Sequence, residues 1–212
     1  MPPHQTFNTK NFRQICSQLA RVDSDLQTIL DCYGYPPLWK RRPGFETLVQ
    51  IILEQQVSLA SAKAAHTKLK EKITSITPQT FLLLTDEELK ACYFSRQKIL
   101  YTKHLAHAIH NGQLNLKQFK VLDNDQIRSQ LVQIKGIGSW TADVYLMMAM
   151  QRADLFPLGD IALINSIKMV KKLEPGVSIL EIAKLAESWK PYRTIAAYML
   201  WHAYLGKRKS LV

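Results

Sequence analysis

The stretch Val132-Gln133-Ile134-Lys135-Gly136-Ile137-Gly138 constrains this chain more than any other. It joins two helical patterns, at 125–131 and 139–150, across so few residues that only a tight hairpin between two helices satisfies it. Gly136 and Gly138 flank a single isoleucine, and glycine there permits both positive φ and a close approach of main chain to a ligand. The second helix starts at the hairpin. Its unpaired N–H groups and positive dipole end therefore point at the turn, a setting that suits a phosphate and ignores base sequence. Lys135, Gly136, Ile137, Gly138, Ser139 and Thr141 are the candidate phosphate contacts.

Nearly every other segment also carries helical periodicity. No alternating Val/Ile/Thr-rich run is bounded by hairpin turns, so the expected fold class is all-α. Gly34, Pro36, Pro37, Pro43 and Gly44 break the chain once early, and Pro157 and Gly159 break it again after the hairpin pair. Two helical lobes with a cleft between them are expected: residues 1–43 with 161–212, and residues 44–160, the latter holding the helix-hairpin-helix at 125–150. The helical stripe that starts at Phe45 is interrupted by the polar Glu54-Gln55-Gln56, an oddity within an otherwise apolar pattern.

A formal net charge of +11, from 28 Lys+Arg against 17 Asp+Glu, favours a polyanionic partner. Cys16, Cys32 and Cys92 are widely spaced, which excludes a four-thiolate cluster or zinc ribbon and points to a reducing compartment. No run approaches the roughly 18 apolar residues of a membrane span, and the first residues lack the order of a secretion signal. A cytoplasmic, nucleoid-associated monomer with no membrane partner is expected. His104, His107 and His110 recur on one helix without a carboxylate or thiol at ligand spacing, so they are read as solvated and no catalytic metal is assigned.

The pattern L-x-x-x-x-G-I-G-x-W-T-A, followed by Asp160 eighteen residues beyond Ala142, resembles the helix-hairpin-helix, Gly/Pro loop and aspartate signature of the DNA glycosylase superfamily. Two further blocks, from Phe45 to Ser58 and from Trp189 to Trp201, resemble those of the 3-methyladenine DNA glycosylase II family, in a compact form without the N-terminal β-rich domain of some members. The resemblance implies a monofunctional glycosylase that flips an alkylated base out of double-stranded DNA and hydrolyses its bond to the sugar. Asp160 stands at the position of the superfamily's essential aspartate, although Gly159-Asp160 before Ile161 also reads as a helix N-cap. Asp143 and Asp154 are weaker candidates. Trp140 occupies the hairpin position where lyase-active relatives carry a Schiff-base lysine, so strand cleavage is not expected.

For the base pocket, Trp140 and Trp201 match tryptophans of the family, with Tyr145, Tyr198 and Tyr204 as additions; aromatic walls suit a cationic base. The family's pocket tyrosine one turn after Trp140 is replaced by Val144. Gln55 and Gln56 are the candidates for filling the vacated space in DNA, Gln56 aligning with the family's intercalating residue, often leucine. No cofactor is required, but the resemblance implies a structural Na⁺ or K⁺ held by the main-chain carbonyls of Val132, Ile134 and Ile137. A non-catalytic helix-hairpin-helix DNA-binding scaffold is the alternative; it needs the glycines and the charge but not Asp160 or the tryptophans. A glycosylase for oxidised or mismatched bases ranks third, because neither the hairpin lysine nor a cysteine cluster is present.

Overall fold

The computed structural model describes residues 5–209, and among them the only β-pairing is an isolated bridge between Thr6 and Arg152. The helices are α1 (Phe12–Val22), α2 (Ser24–Tyr33), α3 (Phe45–Glu54), α4 (Leu59–Lys72), α5 (Pro78–Leu82), α6 (Asp86–Ala91), α7 (Arg96–His110), α8 (Asn124–Val132), α9 (Ser139–Met148), α10 (Ile161–Val170), α11 (Ile179–Glu187) and α12 (Arg193–Lys209). A 3₁₀ turn at Leu116–Lys120, capped by Asn115, buries Phe119; sequence periodicity is blind to so short an element. None of these helices is long and apolar enough to cross a membrane.

The chain divides into two compact units, residues 1–40 with 146–212, and residues 41–145. The expected boundary at 160 is thus displaced to 145. Backbone pairing explains the shift. Phe7 donates to the Gln151 carbonyl at 3.0 Å and Ala153 to that of Gln5 at 2.9 Å, while the Thr194 N–H donates to the Ala153 carbonyl at 3.0 Å. The Thr194 hydroxyl adds a bond to the Arg152 carbonyl at 2.7 Å and takes the Leu155 N–H at 3.0 Å. Residues 151–155 are therefore stitched to both the N-terminal segment and the start of α12.

In the terminal unit, α1 presents Phe12, Ile15, Cys16 and Leu19 on one stripe, the spacing of an amphipathic helix. Burial pushes the Cys16 thiol up to about 12, which leaves it inert. Residues Ile195 to Leu200 of α12 are buried on every side, so α12 is the central rod against which α1, α2 and α10 pack. Asp23 caps α2 by accepting the N–H groups of Asp25 and Leu26, and it also receives Lys171 Nζ at 2.7 Å and Trp189 Nε1 at 2.8 Å. Burial alone would raise its pKa. The Lys171 and Trp189 hydrogen bonds override burial and hold the carboxyl below its ordinary range.

A group with a depressed folded pKa contributes stability that is complete above the unfolded value and is lost as pH falls through the folded one. Asp23→Asn keeps a good cap but loses the charge, so the variant should melt lower than wild type at neutral pH. The gap should narrow below about pH 4, where the wild-type carboxyl also protonates. Thermal unfolding of both proteins across that range reads this directly; a constant gap would show that the charge contributes nothing.

In the central unit, α3 carries Thr47, Leu48, Val49, Ile51, Ile52 and Leu53 fully inside and packs on α4 and α7. Phe81 joins Phe45 and Phe94 at ring-centroid distances of 5.8 and 5.9 Å. Capping boxes at Thr77 with Thr80 and at Thr85 with Glu88 start the two short helices between α4 and α7. A third, Asp123 with Gln126, starts α8 and so fixes the approach to the hairpin.

Candidate active site and nucleic-acid interface

After α8 the chain tightens. Ile134 donates to the Leu131 carbonyl at 3.1 Å and Ile137 to the Ile134 carbonyl at 3.0 Å, before α9 opens at Ser139. Gly136 sits at φ +92, and a Cβ placed on it would fall 2.0 Å from Cγ of the Tyr101 ring. Both its conformation and its contact with α7 demand glycine. Gly138 differs: its φ is ordinary and no atom lies within 4 Å of an added Cβ, so its Cα face is bare.

Lys135, Gly138 and Ser139 are exposed, as a phosphate site requires. Two other expected contacts are corrected. The Ile137 N–H is already committed to Ile134, and its side chain is buried. Thr141 is also buried, and its hydroxyl accepts a hydrogen bond from Gln55 Nε2 at 2.9 Å. Trp140 is half-buried in the first turn of α9.

Gln55 itself is corrected as an intercalating residue. Its amide nitrogen donates to the Gly136 carbonyl and to Thr141 Oγ1, both at 2.9 Å, so both amide hydrogens are used inside the protein. Gln56 beside it is exposed and has φ +56.

Tyr145 is a core residue rather than a pocket wall. It packs on Phe119 at 6.2 Å and its hydroxyl accepts the Gly44 N–H at 3.1 Å; burial pushes that hydroxyl up to about 12. Val144 is buried too. Asp143 is paired with Arg128 at 2.7 Å, and burial raises its carboxyl despite that partner, so it holds α8 to α9.

In the terminal unit, Asp160 caps α10, accepting the Leu163 N–H on Oδ1 at 2.7 Å. The same oxygen accepts Trp201 Nε1 at 3.1 Å. Cap and indole together set the orientation of a carboxylate that is 9% exposed. The sequence left two readings of Asp160, cap and reacting group, and the geometry makes the cap the means by which the carboxylate is held.

Trp201 lies 5.7 Å from Tyr198 and 6.2 Å from Trp39, the latter edge-to-face at 80°. Tyr198, expected in the pocket, is instead fully buried against Phe7, Phe12 and Trp39, its hydroxyl within 3.1 Å of the Trp39 carbonyl. Trp39, half-exposed, is the aromatic that sequence reasoning missed, because it sits in a breaker-rich passage without periodicity. Its signal was an isolated tryptophan where a linker needs none. Tyr204 is half-exposed, one turn beyond Trp201 on α12. Asp154 is held by the Arg193 fork at 2.7 and 3.0 Å. His104, His107 and His110 are all exposed, and among the described residues no group of three or more His, Cys, Asp or Glu could hold a metal ion.

An all-α fold with a helix-hairpin-helix, and an aspartate capping the next helix against a tryptophan, define a class of DNA-repair proteins. Residues 49–191 match the model of the HhH-GPD superfamily of base excision DNA repair proteins, and the chain belongs to that superfamily. It is 30% identical over 191 residues to DNA-3-methyladenine glycosylase 1 of Schizosaccharomyces pombe, covering 86% of this chain and 83% of that protein. Among solved structures it is similar to the 3-methyladenine DNA glycosylase of the same yeast in complex with abasic DNA, with TM-score 0.80, 27% identity and coverage of 89% and 95%. It is also similar to a DNA-3-methyladenine glycosidase of Bacillus halodurans, with TM-score 0.72, 27% identity and coverage of 95% and 92%.

Proposed function

We propose that this protein is a monofunctional DNA N-glycosylase that excises alkylated bases of the 3-methyladenine type from double-stranded DNA, acting as a monomer in the cytoplasm. The observation that carries this reading is the carboxylate of Asp160, oriented on Oδ1 by the Leu163 N–H and the Trp201 indole within an aromatic cluster. An alkylated purine already carries positive charge, so it leaves as a neutral base when the electrons of the C1′–N bond pass to it. The positive charge that then builds on the sugar is what needs stabilising, and a fixed carboxylate does so electrostatically. Water adds its oxygen to C1′ while its proton passes toward Asp160, leaving an intact strand with an abasic sugar.

In the terminal unit, the half-exposed Trp39, packed edge-to-face on the buried Trp201, supplies aromatic surface for a flipped cationic base. The exposed Lys135, Gly138 and Ser139 offer a cation and main-chain N–H donors to backbone phosphates, and the net charge of +11 favours the encounter. The donor set at Val132, Ile134 and Ile137 suits Na⁺ or K⁺: these are neutral carbonyls, and the Ile134 carbonyl, which takes the Ile137 N–H, has a second lone pair. A monovalent cation there would add positive charge to the hairpin. Trp140 offers no amine for a Schiff base, which supports hydrolysis without strand cleavage.

The test is release of free 3-methyladenine and 7-methylguanine from methylated duplex, with strand integrity followed before and after hot alkali. Bases should appear in solution while strands break only on alkali treatment. Scission without alkali would overturn the monofunctional assignment. Tight DNA binding with no release would make the chain a scaffold instead.

A further inference from the structure

The turn between α3 and α4 is held from three sides within the central unit. Gln55 reaches the hairpin through the Gly136 carbonyl and Thr141 Oγ1, each at 2.9 Å. The Lys98 ammonium, from the first turn of α7, donates to the Leu53 carbonyl in the last turn of α3. The Arg41 guanidinium closes on both oxygens of Glu54, at 2.7 and 3.1 Å. Among these restraints Gln56 adopts φ +56, a conformation uncommon for residues with a Cβ. Gln55, Gln56, Lys98, Tyr101 and Gly136 share the lining of one depression of about 530 Å³.

We propose that Gln55 is a positioning residue that locks the turn bearing Gln56 to the hairpin, so that gripping a phosphate and inserting Gln56 into the duplex occur as one rigid step. This rests on the glycosylase reading above, in which the hairpin meets the DNA backbone and Gln56 fills the vacated stack. With both amide hydrogens bound internally, Gln55 cannot donate to a base, but it makes the position of its neighbour a property of the hairpin. A turn ordered beforehand avoids the entropic cost of ordering it on the DNA, and that gain is realised when the nucleotide leaves the helix.

The test compares the full chain as wild type, Gln55→Ala, Gln55→Glu, Gln56→Ala and the double alanine variant. The probe is a duplex with 2-aminopurine beside a tetrahydrofuran abasic-site analogue, whose fluorescence reports unstacking; excision from methylated duplex is followed in parallel at single turnover. Gln55→Ala should lower both the fluorescence rise and the excision rate by about tenfold, as loss of two internal hydrogen bonds predicts, although the Gln56 side chain is intact. The double variant should be no worse than the poorer single one, the mark of residues acting as a unit. Gln55→Glu, equal in size but without amide hydrogens, should reproduce the loss. A wild-type signal from either Gln55 variant, or strictly additive losses, overturns the proposal.

Amide exchange on the free protein supplies an arm that needs no DNA. Gln55→Ala should speed exchange at both 55–58 and 134–138, whereas Gln56→Ala should not, and retained protection in α3 confirms that each variant folds. Unchanged exchange in Gln55→Ala sinks the clamp. Normal coupling by exchange with no base release by wild type sinks the glycosylase reading alone.

Discussion

Asp160→Asn should bind DNA and scarcely cleave. Asparagine caps a helix as well as aspartate does, and its Oδ1 can still accept from the Leu163 N–H and the Trp201 indole. The fold should therefore survive, with a stability change within about 1 kcal/mol. What disappears is the negative charge, and with it the stabilisation of the developing sugar cation and the acceptor for the water proton. Losing one preorganised electrostatic contribution of this kind costs on the order of 10²–10³ in rate. Single-turnover release of 3-methyladenine, set beside a thermal melt and binding to abasic-analogue duplex at one stated salt concentration, separates chemistry from folding and affinity. A variant that releases base at the wild-type rate would remove Asp160 from the mechanism.

The second large effect is expected at the hairpin, where the two glycines should behave in opposite ways. Gly136→Val meets two independent obstacles: a φ of +92 that a β-branched residue disfavours, and a Cβ 2.0 Å from the Tyr101 ring. The ring must shift or the hairpin must open, and strain plus overpacking of this sort amounts to roughly 3 kcal/mol or more. Gly138→Ala meets neither obstacle and should melt within about 0.5 kcal/mol of wild type. Its added methyl stands on the bare face that the proposed function turns toward a phosphate, so DNA affinity should fall while stability does not. Denaturant melts and salt-dependent binding measured on both variants would show this split; equal loss of stability in the two would refute the distinction.

The legibility of the fold followed the range of the signals in the sequence. Helices with strong periodicity, such as α1 and α3, and those with capping boxes were readable because the physics is local. The hairpin was readable because seven residues leave no other geometry. The unit boundary was not: the bonds of Phe7 and Thr194 to residues 151–153 join positions far apart in the chain, and nothing in the loop's own sequence announces them.

The site followed the same rule. Asp160 and Trp201 were found through resemblance and then shown to be hydrogen-bonded to each other, a pairing that spans 41 residues. Tyr145 and Tyr198 were misjudged because an aromatic residue on a helix gives no hint of whether its ring meets solvent or the core. Gln55 was misjudged for a related reason: a polar residue breaking an apolar stripe signals something unusual, but its partner could be a base or the protein's own main chain.

The stitching of residues 151–155 also dictates an order of assembly during synthesis. The central unit is one unbroken stretch, 41–145, whereas the terminal unit draws on both ends of the chain. The loop leading to Asp160 takes one edge from Gln5 to Phe7, synthesised before it, and another from Thr194, synthesised after it. Trp201, which orients the carboxylate, emerges later still. A nascent polypeptide thus possesses the complete hairpin segment well before Asp160 can receive its hydrogen bond from Trp201, and a ribosome that stalls between Met148 and Trp201 yields a chain with the hairpin sequence but without the oriented carboxylate.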